Sequence, residues 1–262
     1  DSILNKNLED ELADNLDKSR KQLNLNNSEK ELEIMRKNGR IHKKVFDAIR
    51  EVLVPWVSAK KIDDLAFKMC NDAGVLSAFT WVYWYKYSLQ TSVNNVVVHG
   101  RPLANIVFEE GDVVTIDFWV KDKKYGICTD AAFTMIVWDA DKYPEKKEFL
   151  RVWEKALKKW LAQAKAGNRV WDIWAAIEEY VTKHWYHIIR ELTGHGVWKT
   201  LHEQPYIYNY WEAWTGNKLK AGMTLAIEPL LWETSGEIVD EWGWEIYIKD
   251  GSLGSQFEHN IL

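Results

Sequence analysis

Asp117 and Asp130 bracket a short loop between two apolar strands, the first hint of chemistry in this sequence. Val113-Val-Thr-Ile-Asp117 runs in, and Asp130-Ala-Ala-Phe-Thr134 runs out. With a loop at 122–125, Lys121 lies opposite Gly126 and Asp117 opposite Asp130. Opposed side chains on one sheet face stand about 4.5–5.5 Å apart at Cβ, and like charges there destabilise the pair. Apolar neighbours such as Val113 and Ile116 imply partial burial. Two buried carboxylates that close need a shared proton or a cation. A register shifted by one residue would instead turn the aspartates to opposite faces. The hairpin by itself does not choose between these readings.

Other segments add donors of the same kind. Gly194-His195-Gly196 sets an imidazole between two glycines, where a backbone can bend and approach closely. His202 follows in Leu201-His202-Glu203-Gln204-Pro205. Ala226-Ile227-Glu228-Pro229 holds an acid in an apolar strand, and Gln256-Phe257-Glu258-His259 holds another. Any one of these is more often a satisfied core polar group than a ligand. Two Asp, one His and two Glu, all in apolar strand contexts, are hard to attribute to separate accidents. Four carboxylates and one imidazole suit a pair of divalent cations such as Mn, Fe, Co or Zn. Two such ions can activate water and polarise a carbonyl, which is the equipment for hydrolysis. The chain has no GxSxG elbow, no HExxH and no P-loop.

The elements that must position these residues follow from periodicity and breakers. Ser28 and Glu31 form a capping-box pattern. Leu32, Met35, Ile41, Val45 and Ile49 then lie on one helical face, which Pro55 stops. A second helix is expected over 62–73, ended by Gly74. Strands are expected at 91–99, 113–120 and 128–137. Two long amphipathic helices follow, at 145–166 and 170–185, and then strands at 194–199, 224–229, 245–249 and 255–262. Two halves, each with helices and antiparallel strands, give an α+β protein.

Composition sets outer bounds. The chain has 262 residues, 47% hydrophobic and 28% charged, which is ordinary for a globular domain. A net charge of −5 makes DNA a poor partner. Cys70 and Cys128 are too few for a disulfide scaffold and point to reduced thiols. No apolar run approaches the roughly 18–20 residues of a membrane span. A cytoplasmic location is expected. Residues 1–27 are polar and of mixed charge, and read as an N-terminal extension.

Taken together, six segments resemble the type I methionine aminopeptidases, enzymes of the pita-bread fold. They are Thr91-Ser-Val-Asn-Asn-Val-Val-Val-His-Gly100, the hairpin from Ile116-Asp117 to Thr129-Asp130, Gly194-His-Gly-Val197, Leu201-His-Glu-Gln-Pro205, Gly222-Met-Thr-Leu-Ala-Ile-Glu-Pro229 and Gln256-Phe-Glu-His259. The resemblance covers residues 28–262, which it marks as the catalytic domain. It implies an antiparallel sheet with helices on its outer face and a pseudo-twofold. It implies that Asp117, Asp130, His195, Glu228 and Glu258 bind two divalent metal ions, with Asp130 and Glu258 bridging. His99 and His202 would contact the substrate, and Glu228 would also shuttle a proton. Tyr85, Leu201 and Trp244 would line the methionine pocket. Leu201 departs from the aromatic usual in the family, and Val82 stands where a tyrosine is common. The implied substrates are N-terminal methionyl peptides, with the ribosome as a transient partner and a monomeric enzyme. An inactive binding module on the same scaffold, or another aminopeptidase of this fold, is the alternative. The large N-terminal domain of related proline-specific dipeptidases is not expected, and the C-terminus is expected to be truncated within a strand.

Tryptophan usage stands apart, with 16 Trp against 14 Gly. Trp56, Trp81, Trp84, Trp119, Trp138, Trp160, Trp171, Trp185, Trp198, Trp211 and Trp214 stand where the resembled family has glycine, and Trp174 and Trp242 belong with them. A left-handed backbone at a non-glycine residue costs about 1–2 kcal/mol, and overpacking adds about 1–3 kcal/mol. A dozen such sites would exceed an ordinary stability of about 5–15 kcal/mol. A UGA codon decoded as glycine but deduced as tryptophan would account for them. Several of these residues are then expected at positive φ or exposed.

Overall fold

The computed structural model describes residues 29–77, 79, 85–208, 216–234, 237–241 and 244–262. The extension at 1–27, Ser28 of the capping box, Val82, and tryptophans 81, 84, 211, 214 and 242 lie outside the described residues.

The first half starts with helix α1 (Glu29–Val52). Met35, Asn38, Ile41, His42, Val45, Phe46 and Ile49 recur every three or four residues and form its buried face. Val45 and Ile49 are fully buried, each stabilising by about 1.5–3 kcal/mol. Helix α2 (Ala59–Ala73) ends at Gly74, whose φ of 73° turns the chain into β1 (Val75–Ser77). Strands β2 (Leu89–Val93) and β3 (Val96–Val98) flank the Asn94-Asn95 turn. The hairpin follows as β4 (Val113–Asp122) and β5 (Cys128–Ile136). β4 pairs with β5 on one edge and with β1 and β2 on the other. The faces of α1 and α2 pack on this sheet through Phe46, Ile62, Ile116, Phe118 and Phe133.

The second half repeats the plan with shorter strands. Helix α3 (Pro144–Gln163) starts on a proline, whose missing N–H costs nothing at a helix N-terminus. Helix α4 (Val170–Thr182) packs beside it through Phe149, Trp153, Trp160, Ile173, Trp174 and Ile177. Both cover strands β6 (His187–Ile188), β7 (Thr193–Gly196), β8 (Glu203–Tyr208), β9 (Leu225–Ile227) and β10 (Leu230–Trp232). Then come β11 (Ile238–Glu241), β12 (Glu245–Ile248), β13 (Gly254–Gln256) and β14 (His259–Ile261). The sheet orders are β14-β9-β7-β8, β13-β10-β6 and β11-β12-β3. A bridge between Ala132 and Glu258 joins the two halves. The α+β pita-bread expectation holds.

One expectation needs correction. Asp117 does not face Asp130: Asp117 pairs with Ala132, and Trp119 pairs with Asp130. The loop is longer than expected because Asp122 takes a side-chain cap, its Oδ1 accepting from the N–H groups of Lys124 and Tyr125. Gly126 then turns at φ 70°. The register therefore differs by two residues, not one. The side-chain period of a strand is two, so both aspartates stay on one face as diagonal neighbours. The helices at 145–166 and 170–185 also stop earlier than expected, at Gln163 and Thr182.

Candidate active site

β4 and β5 carry Asp117 and Asp130 into the interior, where they are 8% and 5% exposed. The other half brings His195 and Glu258, at 2% and 1%, and Glu228, which is partly buried. His195 lies on β7, between β8 and β9. The flanking glycines are required by that approach. A Cβ at Gly194 would meet the Ala226 carbonyl oxygen at 2.6 Å, and one at Gly196 would run into the Gln204 carbonyl. Small neighbours thus let three backbones close around one imidazole.

Ligand atoms of Asp130, His195 and Glu258 all lie within 4.8 Å of one another. Glu228 Oε1 is 3.3 Å from His195 Nε2, and Asp117 shares the cavity with all four. The five candidates from the sequence are therefore in one place, three of them in mutual reach. His195 Nδ1 donates to the Gly196 carbonyl at 2.9 Å, which leaves Nε2 as the ligand nitrogen. Burial first, and then the neighbouring carboxylates, push the carboxyls of Asp117, Asp130 and Glu258 well above the usual range. Asp117 Oδ1, Asp130 Oδ1 and Glu258 Oε1 are buried with no hydrogen-bond partner. Converging acids with orphaned oxygens fit divalent cations, which would ionise the acids and satisfy those atoms together.

The cavity that these residues line has a volume of about 380 Å³. Phe79, Leu201 and Trp244 line one part of it. Tyr85 stacks on Trp244 with ring centroids 5.2 Å apart, and its hydroxyl donates to the Leu89 and Gly100 carbonyls. His99 and His202 both line the cavity. The His202 ring meets that of His195 edge-on at 4.4 Å. It keeps an edge in solvent, yet the surrounding protein, then His195 and His99, lower its pKa. Burial also lowers the pKa of His99, partly opposed by the bond from its Nδ1 to the Trp244 carbonyl at 3.0 Å.

Two residues with no role assigned from the sequence hold this arrangement. Gln90 Oε1 accepts from the His99 N–H at 3.0 Å and so holds His99 at its left-handed φ of 64°. Gln256 Nε2 donates to Glu228 Oε2 at 3.2 Å and to Glu258 Oε2 at 3.4 Å. A glutamine two residues before Glu258 was a usable signal, since that spacing puts both on one strand face. Nothing local marked Gln90.

Known proteins are similar to this chain over most of its length. A methionine aminopeptidase of Clostridium perfringens is 32% identical over 236 residues, covering 89% of this chain and 92% of the relative. Methionine aminopeptidase 1 of Bacillus subtilis is 34% identical over 233 residues, covering 88% and 92%. The crystal structure of a methionine aminopeptidase from Thermotoga maritima superposes with a TM-score of 0.85 at 38% identity, covering 90% of this chain and 93% of that one. An Xaa-Pro dipeptidase from Bacillus anthracis shares the fold, with a TM-score of 0.69 at 24% identity, and this chain covers 60% of its length. The family match runs over residues 33–262 and takes in all five ligand candidates, so the chain belongs to metallopeptidase family M24.

Proposed function

We propose that this protein removes the N-terminal methionine from polypeptides by metal-dependent hydrolysis, with residues 28–262 as its catalytic domain. The observation that carries this reading is the set of buried, orphaned carboxylate oxygens on Asp117, Asp130 and Glu258 beside His195 Nε2. Asp117, Asp130, His195, Glu228 and Glu258 would hold two divalent ions. Bound ions supply Lewis acidity toward the scissile carbonyl and lower the pKa of water.

The chain's own groups do the rest. Phe79, Leu201 and Trp244, with Tyr85 stacked behind Trp244, offer an apolar recess for an unbranched thioether side chain. His99 and His202, both lowered in pKa, are neutral near pH 7 and hydrogen-bond the substrate's backbone on either side of the scissile bond. Glu228 sits against His195 and receives the proton released by the attacking water. Gln256 keeps Glu228 and Glu258 oriented for these roles.

The test is release of methionine from a Met-Ala-Ser peptide with Mn or Co, before and after a chelator. Release that the chelator abolishes is the expected result. A folded, metal-loaded protein that releases no methionine would overturn the proposal.

A further inference from the structure

Five described non-glycine residues adopt a left-handed backbone: Trp56, Asn94, His99, Trp138 and Trp185, with φ of 71°, 54°, 64°, 71° and 65°. Two of them have a visible cause. Asn94 sits in the β2–β3 turn, where its side chain donates to Asp112 and accepts from the Val113 N–H. Asparagine is also among the few residues that visit this region readily. His99 is held from both sides, by Gln90 and by the Trp244 carbonyl.

The three tryptophans are different. Their relative exposures are 84%, 61% and 87%, the highest of the large hydrophobic side chains among the described residues. The strained backbone is therefore not offset by burial of the ring. Each marks a chain reversal. Trp56 follows Pro55 between α1 and α2, and Trp138 follows β5. Trp185 follows α4, with its N–H donating to the Thr182 carbonyl. The equivalent position after α2 is Gly74, whose φ is 73° and whose N–H donates to the Asn71 carbonyl. At φ near +70° a Cβ crowds the adjoining carbonyl, and glycine alone avoids that cost.

The interior carries a parallel sign. Trp160, Trp174 and Trp198 each bury an indole N–H that meets no acceptor. Buried indoles usually find a partner. Tryptophan also outnumbers glycine in the whole chain, 16 to 14.

We propose that positions 56, 138 and 185 are glycine in the protein as its own cell makes it, encoded by UGA codons that the cell decodes as glycine. UGA differs from the glycine codon GGA by one base, and a code that reads UGA as tryptophan turns each such glycine into the residue seen here. The same substitution explains why all three side chains stand in solvent: the fold has no place for them. Genuine tryptophans would instead make Trp56 and Trp138 the walls of a surface groove beside Glu109 and Glu110.

The experiment is tandem mass spectrometry of peptides from the protein isolated from its source cells, read beside the gene's codons. Glycine at 56, 138 and 185, with UGA at each codon and tryptophan retained at 244, is the expected result. Tryptophan at these positions in the isolated protein overturns the proposal, as does UGG in the gene. A second arm compares the chain as given with the triple variant Trp56→Gly, Trp138→Gly, Trp185→Gly. Its melting midpoint is expected to rise, and a fall would count against glycine as the residue these turns require.

Discussion

The two halves of the molecule deliver their site residues by different means. The first half uses a long hairpin, nine consecutive pairs from Val113↔Ile136 to Lys121↔Cys128. Asp117 and Asp130 are held there by regular pairing along the whole length. The second half uses strands of three or four residues, such as β7 and β9. His195 and Glu228 depend on backbones that approach closely because Gly194 and Gly196 have no side chains. The site is therefore vulnerable in different places in the two halves. The hairpin's pairing does not depend on a missing side chain, while the short-strand half leaves no room for one added carbon at Gly194 or Gly196.

The largest expected effect comes from the residue that belongs to both arrangements. Asp130 stands on the hairpin and within reach of His195 and Glu258. Asp130→Asn should reduce methionine release to background and lower bound metal, read by elemental analysis of the purified protein. Full metal content with activity intact would remove Asp130 from the site. Next is Gly196→Ala, which should cost about 1–3 kcal/mol of stability through the clash with Gln204 and should lower metal content as well. A denaturation midpoint unchanged from the parent would show that the short strands are looser than the comparison implies.

His202→Ala tests the cleft wall and not the ligands. It should lower kcat by about 10²-fold or more while metal content stays as in the parent. Loss of metal in this variant would make His202 a ligand or its support. The pH dependence follows from the buried acids. Their folded pKa values are raised above the unfolded ones. A raised acid contributes its stability below the ordinary carboxylate range and loses it as pH climbs through the folded value. Metal-free protein should therefore lose stability from about pH 4 upward, and metal should protect more as pH rises. Melting curves with and without chelator that stay parallel across that range would contradict this.

The smallest effects concern the helix ends, where the halves can be compared residue for residue. Gly74→Ala meets nothing within 4 Å, so its cost of about 1 kcal/mol is backbone conformation alone. Trp185→Gly should gain a comparable amount at the end of α4. Equal midpoints for both variants and the parent would mean that the two ends impose no such demand.

Much of this was legible in the residues. The α+β class, the long helices and the five ligand candidates came from apolar periodicity and from acids placed in apolar strands. Those signals are local, and local pattern is what a chain of side chains displays. Other features were not readable in this way. The hairpin register was expected two residues away from where it lies, because the cap of Asp122 on Lys124 and Tyr125 lengthens the loop. The role of Gln90 was also hidden, since a buried amide declares its partners only once they are near.

By itself the sequence determined which chemistry was available: carboxylates and an imidazole in apolar surroundings, between glycines that allow close approach. Tertiary structure decided which oxygens converge. Asp130, His195 and Glu258 are separated by 60 or more positions along the chain, and no periodicity links residues so far apart. Their meeting depends on sheet register, on the Ala132–Glu258 bridge and on the steric room left by Gly194 and Gly196. Those are properties of packed backbones, which exist only after the two halves have closed on each other.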